Sequence, residues 1–410
     1  MRTINEVLCG LLSSTTEVLT RSEIRELLKL TRKPGVISFA GGLPNPGLFP
    51  ADELKEAAVR VLEKEADIAL QYGPTEGDNR LIEYIVKWMK EDEGAEINEE
   101  NILIVSGSQQ ALDLVAKVFI DPGDPIIVGL PSYLGGLQAF SSYRARMIGV
   151  KVDKQGMDVE AVENILKRQR ERGEKIKFIY VVPDFQNPSG VTMTLERREK
   201  LLALCYEYET IVVEDSPYRE LRFEGDSIPM VGAMDKKGYA FSIHTFSKIL
   251  CPGMRLGWVI ANKAIMDKLV MAKQPSDLCT SPFTQAVVSE FLSRNQFKSH
   301  IQKIVRVYKR KRDVMLAALE RYMPGGEMIE WTHPQGGLFL WVTLPKKVNT
   351  ENMFLKAVDK GVAYVVGSAF HFDRSGKNTM RLNFSFPSEG QIEEGIKRLA
   401  EVIKNELSER

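Results

Sequence analysis

Five short apolar runs, at residues 102–105, 125–128, 178–182, 210–213 and 239–243, each give way to a polar or glycine-rich turn and then to a stretch with helical spacing of apolar residues. Unbroken apolar runs, lacking the alternation of a half-exposed sheet, are what strands covered on both faces require. The helical stretches between them supply the crossovers that parallel neighbours need. An α/β protein with a mainly parallel central sheet is therefore expected. In such a sheet ligands bind outside the carboxyl ends of the strands. The turns at those ends read Ser106-Gly107-Ser108-Gln109-Gln110, Gly129-Leu130-Pro131-Ser132-Tyr133, Pro183-Asp184-Phe185-Gln186-Asn187-Pro188-Ser189-Gly190, Glu214-Asp215-Ser216-Pro217-Tyr218 and His244-Thr245-Phe246-Ser247-Lys248. They predict one crevice lined by five loops.

The flanking segments carry a different pattern. Residues 22–30 predict a short helix closed by Lys33-Pro34-Gly35, followed by a strand at 36–40 and the loop Gly41-Gly42-Leu43-Pro44-Asn45-Pro46-Gly47, whose paired glycines let the backbone approach a ligand. Helices are expected at 52–65 and 80–91, with the turn Gln71-Tyr72-Gly73-Pro74-Thr75-Glu76-Gly77 between them. Past Lys268 come helices at 283–291 and 300–322; the basic run Lys303, Arg306, Lys309, Arg310, Lys311, Arg312 reads as a solvated helix face. The tail predicts strands at 336–342 and 362–366, a helix at 351–359, a period-two strand at 380–386 and a last helix at 389–407. This organisation suggests a large domain over residues 51–300 and a smaller α+β domain made of 1–50 with 301–410.

Composition removes several function classes. Lysine plus arginine equals aspartate plus glutamate, 55 against 55, so no overall charge draws the chain to nucleic acid or to an anionic membrane, and any bound anion must be held locally. Cys9, Cys205, Cys251 and Cys279 are scattered, as are His244, His300, His333 and His371, without metal-ligand spacing. They read as the reduced thiols and dispersed imidazoles of a cytoplasmic protein with no metal. The start of the chain is too weakly patterned for a signal peptide, and no apolar run approaches the roughly 20 residues of a membrane span.

The turns carry chemistry. Lys248 follows an apolar run, is flanked by hydroxyls at Thr245 and Ser247, and precedes Arg255 across a Pro-Gly turn: an amine beside a seat for a doubly charged phosphate. An amine so placed can condense with an aldehyde cofactor. Ser108 and Gln109 open a helix, where free amides and the positive dipole end favour a phosphate. Asp215 ends a buried strand, so it must meet a cationic partner or lose its charge; a protonated pyridine nitrogen would serve. Tyr218 and Asn187 can reach a ring oxygen, Tyr133 can stack on a flat ring, and Tyr72 can reach a phosphate. Arg381, on the polar side of its strand with Asn383 and Ser385, offers a fork for a substrate carboxylate. Singly, each also reads as ordinary structure: Ser108 as an N-cap, Asp215 as a turn residue, Tyr133 as packing, Arg381 as a surface ion pair.

Their order along the chain is what stands out. Over nearly its whole length the chain resembles the fold-type I, pyridoxal-phosphate-dependent aminotransferases of class I. Arg25-Glu26-Leu27-Leu28-Lys29-Leu30, Ala40-Gly41-Gly42-Leu43-Pro44, Gly107 to Leu114 and Gln335-Gly336-Gly337-Leu338-Phe339 are similar to the branch containing 2-aminoadipate and kynurenine aminotransferases. The resemblance implies a homodimer with active sites at the subunit interface, and Lys248 as the residue that binds the cofactor's aldehyde. It implies Asp215 as partner of the pyridine nitrogen, Tyr218 and Asn187 as ring-oxygen contacts and Tyr133 as the stacking ring. Phosphate contacts fall to Ser108, Gln109, Thr245, Ser247, Arg255 and, from the neighbouring subunit, Tyr72. Arg381 takes the α-carboxylate and Gly42 lines the substrate site. Arg25 matches an arginine that in 2-aminoadipate-type relatives meets a distal carboxylate; a solvent-facing helix charge is its other reading.

The activity implied is ping-pong amino transfer from an L-amino acid (2-aminoadipate, aromatic or branched aliphatic) to 2-oxoglutarate. Two alternatives stay open: another reaction of the same cofactor, such as β-elimination or decarboxylation, and a transcriptional regulator with an aminotransferase-like domain. The regulator would need a DNA-binding extension, and only residues 1–21 precede the first expected helix.

Overall fold

The computed structural model describes residues 3–18, 35–325 and 328–408. The helix expected at 22–30, with Arg25, lies outside the described residues.

The central sheet has eight strands, in the order Ile102–Val105, Gly257–Ile260, Ala240–Thr245, Ile211–Asp215, Phe178–Val181, Pro125–Leu130, Arg146–Asp153 and Gly156–Met157. From Ala240–Thr245 to Arg146–Asp153 every pairing is parallel. Gly257–Ile260 runs antiparallel to both neighbours, and Gly156–Met157 turns back on the strand before it. All five expected strands are present, and Ile102–Val105 and Phe178–Val181 are buried at every residue, as strands with covered faces must be.

Arg146–Asp153 and Gly257–Ile260 are not among the five expected strands. Arg146–Asp153 mixes charge with apolar residues because it lies toward one end of the sheet and is only partly buried. Gly257–Ile260 is short and follows the Pro252–Met254 turn directly. Helices Ser108–Phe119, Leu134–Ser142, Val159–Glu171 and Leu195–Tyr208 are crossovers, each burying an apolar stripe.

In the tail, Glu330–Trp331, Phe339–Thr343, Thr379–Asn383 and Val365–Val366 form an antiparallel sheet in that order, and Ile37–Ser38 pairs in parallel with Val362–Ala363. The run expected as one strand at 362–366 is thus two, divided at Tyr364, whose hydroxyl donates to Thr350 O at 2.6 Å. The strand expected at 380–386 spans Thr379–Asn383 and is buried on both faces. Its polar side chains face other protein groups: Asn383 Nδ2 donates to Ser385 Oγ at 2.9 Å, and Ser385 Oγ donates to Leu43 O at 2.8 Å.

The basic face of helix Phe297–Tyr322 also departs from expectation. Lys311 and Arg312 are buried. Lys311 Nζ donates to Ser385 O at 2.7 Å, and Arg312 bridges Glu224 and Pro334 O. Desolvating a charge is tolerated only with such partners.

Candidate active site

The antiparallel pair Ala240–Thr245 and Gly257–Ile260 organises the site, because Lys248 and Arg255 lie on the segment that joins them. Register places Thr245 opposite Gly257 and His244 opposite Trp258, whose rings stack at 4.9 Å. Thr245 Oγ1 sits 2.9 Å from Ser247 Oγ, accepts from Ser247 N at 3.1 Å and lies 3.1 Å from Leu256 O, tying both ends of the segment together. Lys248 is partly buried, and its Nζ donates to Gly42 O at 3.0 Å. Burial, with Arg381 and Arg255 nearby, lowers its amine to about 8.

Asp215 ends its strand fully enclosed. Oδ2 accepts from the Tyr180 hydroxyl at 2.8 Å, and Oδ1 has no hydrogen-bond partner. Burial pushes this carboxyl up to about 7, with the Tyr180 bond acting in the opposite direction. Three residues on, the Tyr218 hydroxyl accepts from Asn187 Nδ2 at 3.2 Å, and burial raises the phenol. Asn187 Oδ1 accepts from Arg381 Nη1 at 2.8 Å, and Arg381 Nη2 donates to Ala40 O at 2.9 Å. The guanidinium lies 4.1 Å from the Phe339 ring centroid and 4.9 Å from that of Phe370, its Nε is buried without a partner, and burial lowers it to about 10. Gly42 closes this side: a Cβ there would come within 3.3 Å of Phe339 and 4.0 Å of Arg381 Nη2.

A third group of residues surrounds the start of helix Ser108–Phe119. Its N-cap is Gly107 at φ 81°, with no side chain capping the first turn, so Ser108 is the first helical residue and not the cap. Arg255, itself at φ 49°, donates from Nη2 to Ser106 O at 3.4 Å. Gln109 Nε2 donates to Gly135 O at 2.9 Å, and Gln109 Oε1 accepts from the Tyr133 hydroxyl at 3.4 Å. Uncapped amides, a guanidinium and hydroxyls together form an anion seat.

Most of the expected residues are brought together in this way: Lys248, Thr245, Ser247 and Arg255 on one segment, Ser108, Gln109 and Tyr133 beside it, and Asp215, Tyr218, Asn187, Arg381 and Gly42 around it. Tyr72 stands apart, 78 % exposed, and no hydrogen bond joins it to the others.

Two contributions escaped the sequence. Tyr180 reads as one more apolar residue of a buried strand, with only its hydroxyl as a signal. Asp184, fully buried, binds Arg198 at 2.8 Å and Arg219 at 3.0 Å, with Arg222 3.6 Å away. Burial alone would raise its carboxyl, but the guanidiniums of Arg198 and Arg219 hold it below the usual carboxylate range. Arg219 also pairs with Glu93. This cluster fixes the turn that carries Asn187 to the turn that carries Tyr218.

The class I and II aminotransferase family matches residues 34–399. The chain is 48 % identical over 386 residues to aromatic-amino-acid aminotransferase 1 of Thermococcus litoralis, covering 94 % of this chain and 92 % of that protein. It superposes with a TM-score of 0.95 and 47 % identity on the crystal structure of Pyrococcus horikoshii kynurenine aminotransferase in complex with PMP, covering 99 % of this chain and 100 % of that one. LysN, the α-aminoadipate aminotransferase of Thermus thermophilus, complexed with N-(5'-phosphopyridoxyl)-L-leucine, gives a TM-score of 0.90 at 38 % identity, covering 98 % of this chain and 100 % of that one. Similarity that spans the whole chain, and a sheet with its polar loops at one end, lead to the same conclusion: the chain belongs to the class I and II aminotransferases, with the fold-type I architecture, and transfers amino groups with pyridoxal 5'-phosphate.

Proposed function

We propose that the chain takes the amino group of an L-amino acid of 2-aminoadipate, aromatic or branched aliphatic type and passes it to 2-oxoglutarate, using the residues described above. One observation carries this assignment of roles. A buried carboxylate oxygen without a partner, Asp215 Oδ1, interacts through its charge with Tyr218, which is hydrogen-bonded through Asn187 to Arg381, whose charge in turn acts on the Lys248 amine.

These groups fit pyridoxal 5'-phosphate. The unpaired Oδ1 suits a pyridinium nitrogen, Tyr218 and Asn187 suit the ring oxygen, and Tyr133 suits the ring face. Ser108, Gln109, Thr245, Ser247 and Arg255 suit the phosphate. When bound, the cofactor supplies an aldehyde that takes up amino groups and a ring that withdraws electrons from the substrate's Cα.

The chain's own residues then have distinct tasks. Lys248 Nζ, lowered to about 8 chiefly by burial, has an unprotonated fraction near neutral pH and can accept and return the Cα proton. Asp215 Oδ1, buried without a partner, would hold a proton on the cofactor's pyridine nitrogen. Arg381 orients the substrate through its α-carboxylate, its plane already set by Asn187 and Ala40. Gly42 keeps the entrance clear of a side chain.

The assembly proposed is a homodimer, with Tyr72 of each copy completing the other's phosphate seat. Ile68 and Leu70, 64 % and 68 % exposed beside Tyr72, support an interface there. A cytoplasmic location and a division into 51–300 against 1–50 with 301–410 complete the reading; the pairing of Ile37–Ser38 with Val362–Ala363 supports the second. Among the described residues no helix is long and apolar enough to cross a membrane. A contribution of Arg25 to a distal substrate carboxylate belongs to the same proposal.

The test is a panel of amino donors incubated with 2-oxoglutarate, following glutamate and the donor's oxo acid. Equimolar formation of both is expected with at least one dicarboxylic or aromatic donor. Ammonia or carbon dioxide without glutamate would replace the reading by an elimination or a decarboxylation.

A further inference from the structure

We propose that Tyr180 is the positioning residue for Asp215, its hydroxyl fixing Oδ2 so that Oδ1 is the oxygen presented to the cofactor's ring nitrogen. The inference rests on the role given to Asp215 above and adds a residue that no part of that reading uses.

The geometry is specific to the hydroxyl. Strands Phe178–Val181 and Ile211–Asp215 are parallel neighbours with Tyr180 opposite Val213, and the tyrosine reaches two residues along its partner to place its oxygen 2.8 Å from Oδ2. Phenylalanine would fill the same core volume, so the apolar packing does not account for a hydroxyl buried here. A buried hydroxyl is costly unless it is paired. This one is paired to the carboxylate whose other oxygen has no partner.

The ring itself is held firmly. It meets Phe140 edge-on at 5.1 Å, and helix Leu134–Ser142 passes over it at Gly136, where a Cβ would come within 3.1 Å of the hydroxyl oxygen. The same helix begins directly after Tyr133, so one segment locates both the ring face and the tyrosine behind the acid.

The carboxylate has few other influences. Its charge acts on Tyr218 three residues on, whose phenol is raised chiefly by burial. His244, on the neighbouring strand one residue past the Ile243 that faces Asp215, is lowered to about 3 by burial and stays neutral. Neither Lys248 nor Arg381 contributes to its shift; burial raises it and Tyr180 alone opposes the rise. Without that hydroxyl, Asp215 becomes a stronger base toward the proton it shares with the ring nitrogen, and the proton moves toward oxygen.

The experiment is Tyr180→Phe in the full-length holoenzyme loaded with cofactor isotope-labelled at the ring nitrogen, read by NMR. The ring-nitrogen resonance is expected to move from its native position toward that of unprotonated pyridine. The kcat for amino transfer should fall by roughly tenfold to a hundredfold, the scale of one hydrogen bond to a charged acceptor, while the KM of the amino donor changes by less than about threefold. Gly136→Ala, which pushes against the hydroxyl, should shift the resonance in the same direction by less, and serves as the test if Tyr180→Phe does not fold. A resonance unchanged in the variant that folds overturns the proposal. Asp215→Asn separates the two readings. If its ring nitrogen stays protonated as in the native protein, the role of Asp215 itself is wrong. If it loses the proton while Tyr180→Phe keeps it, only the role of Tyr180 is.

Discussion

Arg381 and Asn187 are hydrogen-bonded to each other, Nη1 to Oδ1 at 2.8 Å, across 194 positions of sequence. Asn187 Nδ2, the nitrogen of the same amide, donates to the Tyr218 hydroxyl at 3.2 Å. The arginine proposed for the substrate carboxylate and the two groups proposed for the cofactor's ring oxygen are therefore one buried unit. A shift in any of the three is felt at the other two, so under the proposed roles substrate orientation and cofactor orientation would be set together.

Arg381→Lys tests this unit. Lysine keeps the charge but loses the planar fork, and it cannot bond Asn187 and Ala40 together while lying over Phe339. The kcat/KM for amino donors should fall by about a hundredfold, with cofactor content unchanged. Steady-state kinetics with several donors provides the check, and a loss below about threefold would remove Arg381 from the substrate site.

Lys248→Ala removes the amine that donates to Gly42 O. Turnover should drop by at least about 10⁴-fold, the upper range for a lost acid–base group, and the visible absorbance that marks covalent cofactor attachment should vanish. A small primary amine added to the variant should restore part of the rate, since it supplies the missing base without the side chain. Full activity without added amine would assign the proton transfer elsewhere.

How much of this was legible beforehand depends on whether a residue's partners are near it in sequence. The parallel strands were, because a strand covered on both faces must be continuously apolar, and a polar turn after it marks its carboxyl end. Lys248, Asp215 and Asn187 were visible for the same reason. Gly257–Ile260 was not: its antiparallel return, which delivers Arg255 to Ser106, is decided by pairing with a strand more than a hundred residues earlier as well as with its neighbour. Lys311 and Arg312 looked solvated because their acceptors, Ser385 O and Glu224, lie 74 and 88 residues away. Tyr180 looked like core, which its ring is.

Asp215 makes the cofactor-free protein sensitive to pH in a definite direction. Its carboxyl titrates at about 7 when folded, against an ordinary value of 3.8. Between these values the native state binds the proton that the unfolded chain releases, so this contribution to stability is complete below 3.8 and is lost as the pH rises through 7. At about 1.4 kcal/mol per pKa unit the loss is on the order of 4 kcal/mol. Asp215→Asn should flatten the dependence of apoprotein melting temperature on pH across this window and should melt higher than the native apoprotein at pH above about 8. Parallel curves for the two proteins would mean that the carboxyl is not shifted.

Gly107 permits Arg255 to lie against the start of helix Ser108–Phe119. A Cβ at this glycine would stand 2.6 Å from Arg255 Nη2 and 3.0 Å from Cζ, and the backbone is at φ 81°, where a side chain is strained. Gly107→Ala should therefore push the guanidinium off the uncapped amides and cost about 1–3 kcal/mol in backbone strain, since ψ is 161° there. Because a guanidinium slides aside more easily than backbone, the fold should survive and the phosphate seat should not. Affinity for pyridoxal 5'-phosphate is expected to fall about tenfold or more, the worth of one charge-assisted contact. Affinity for pyridoxal, which lacks the phosphate, should change little, so the preference for the phosphorylated form is the quantity to measure. An equal loss for both forms would show that Gly107 serves the ring or the fold, and that the anion is held without Arg255.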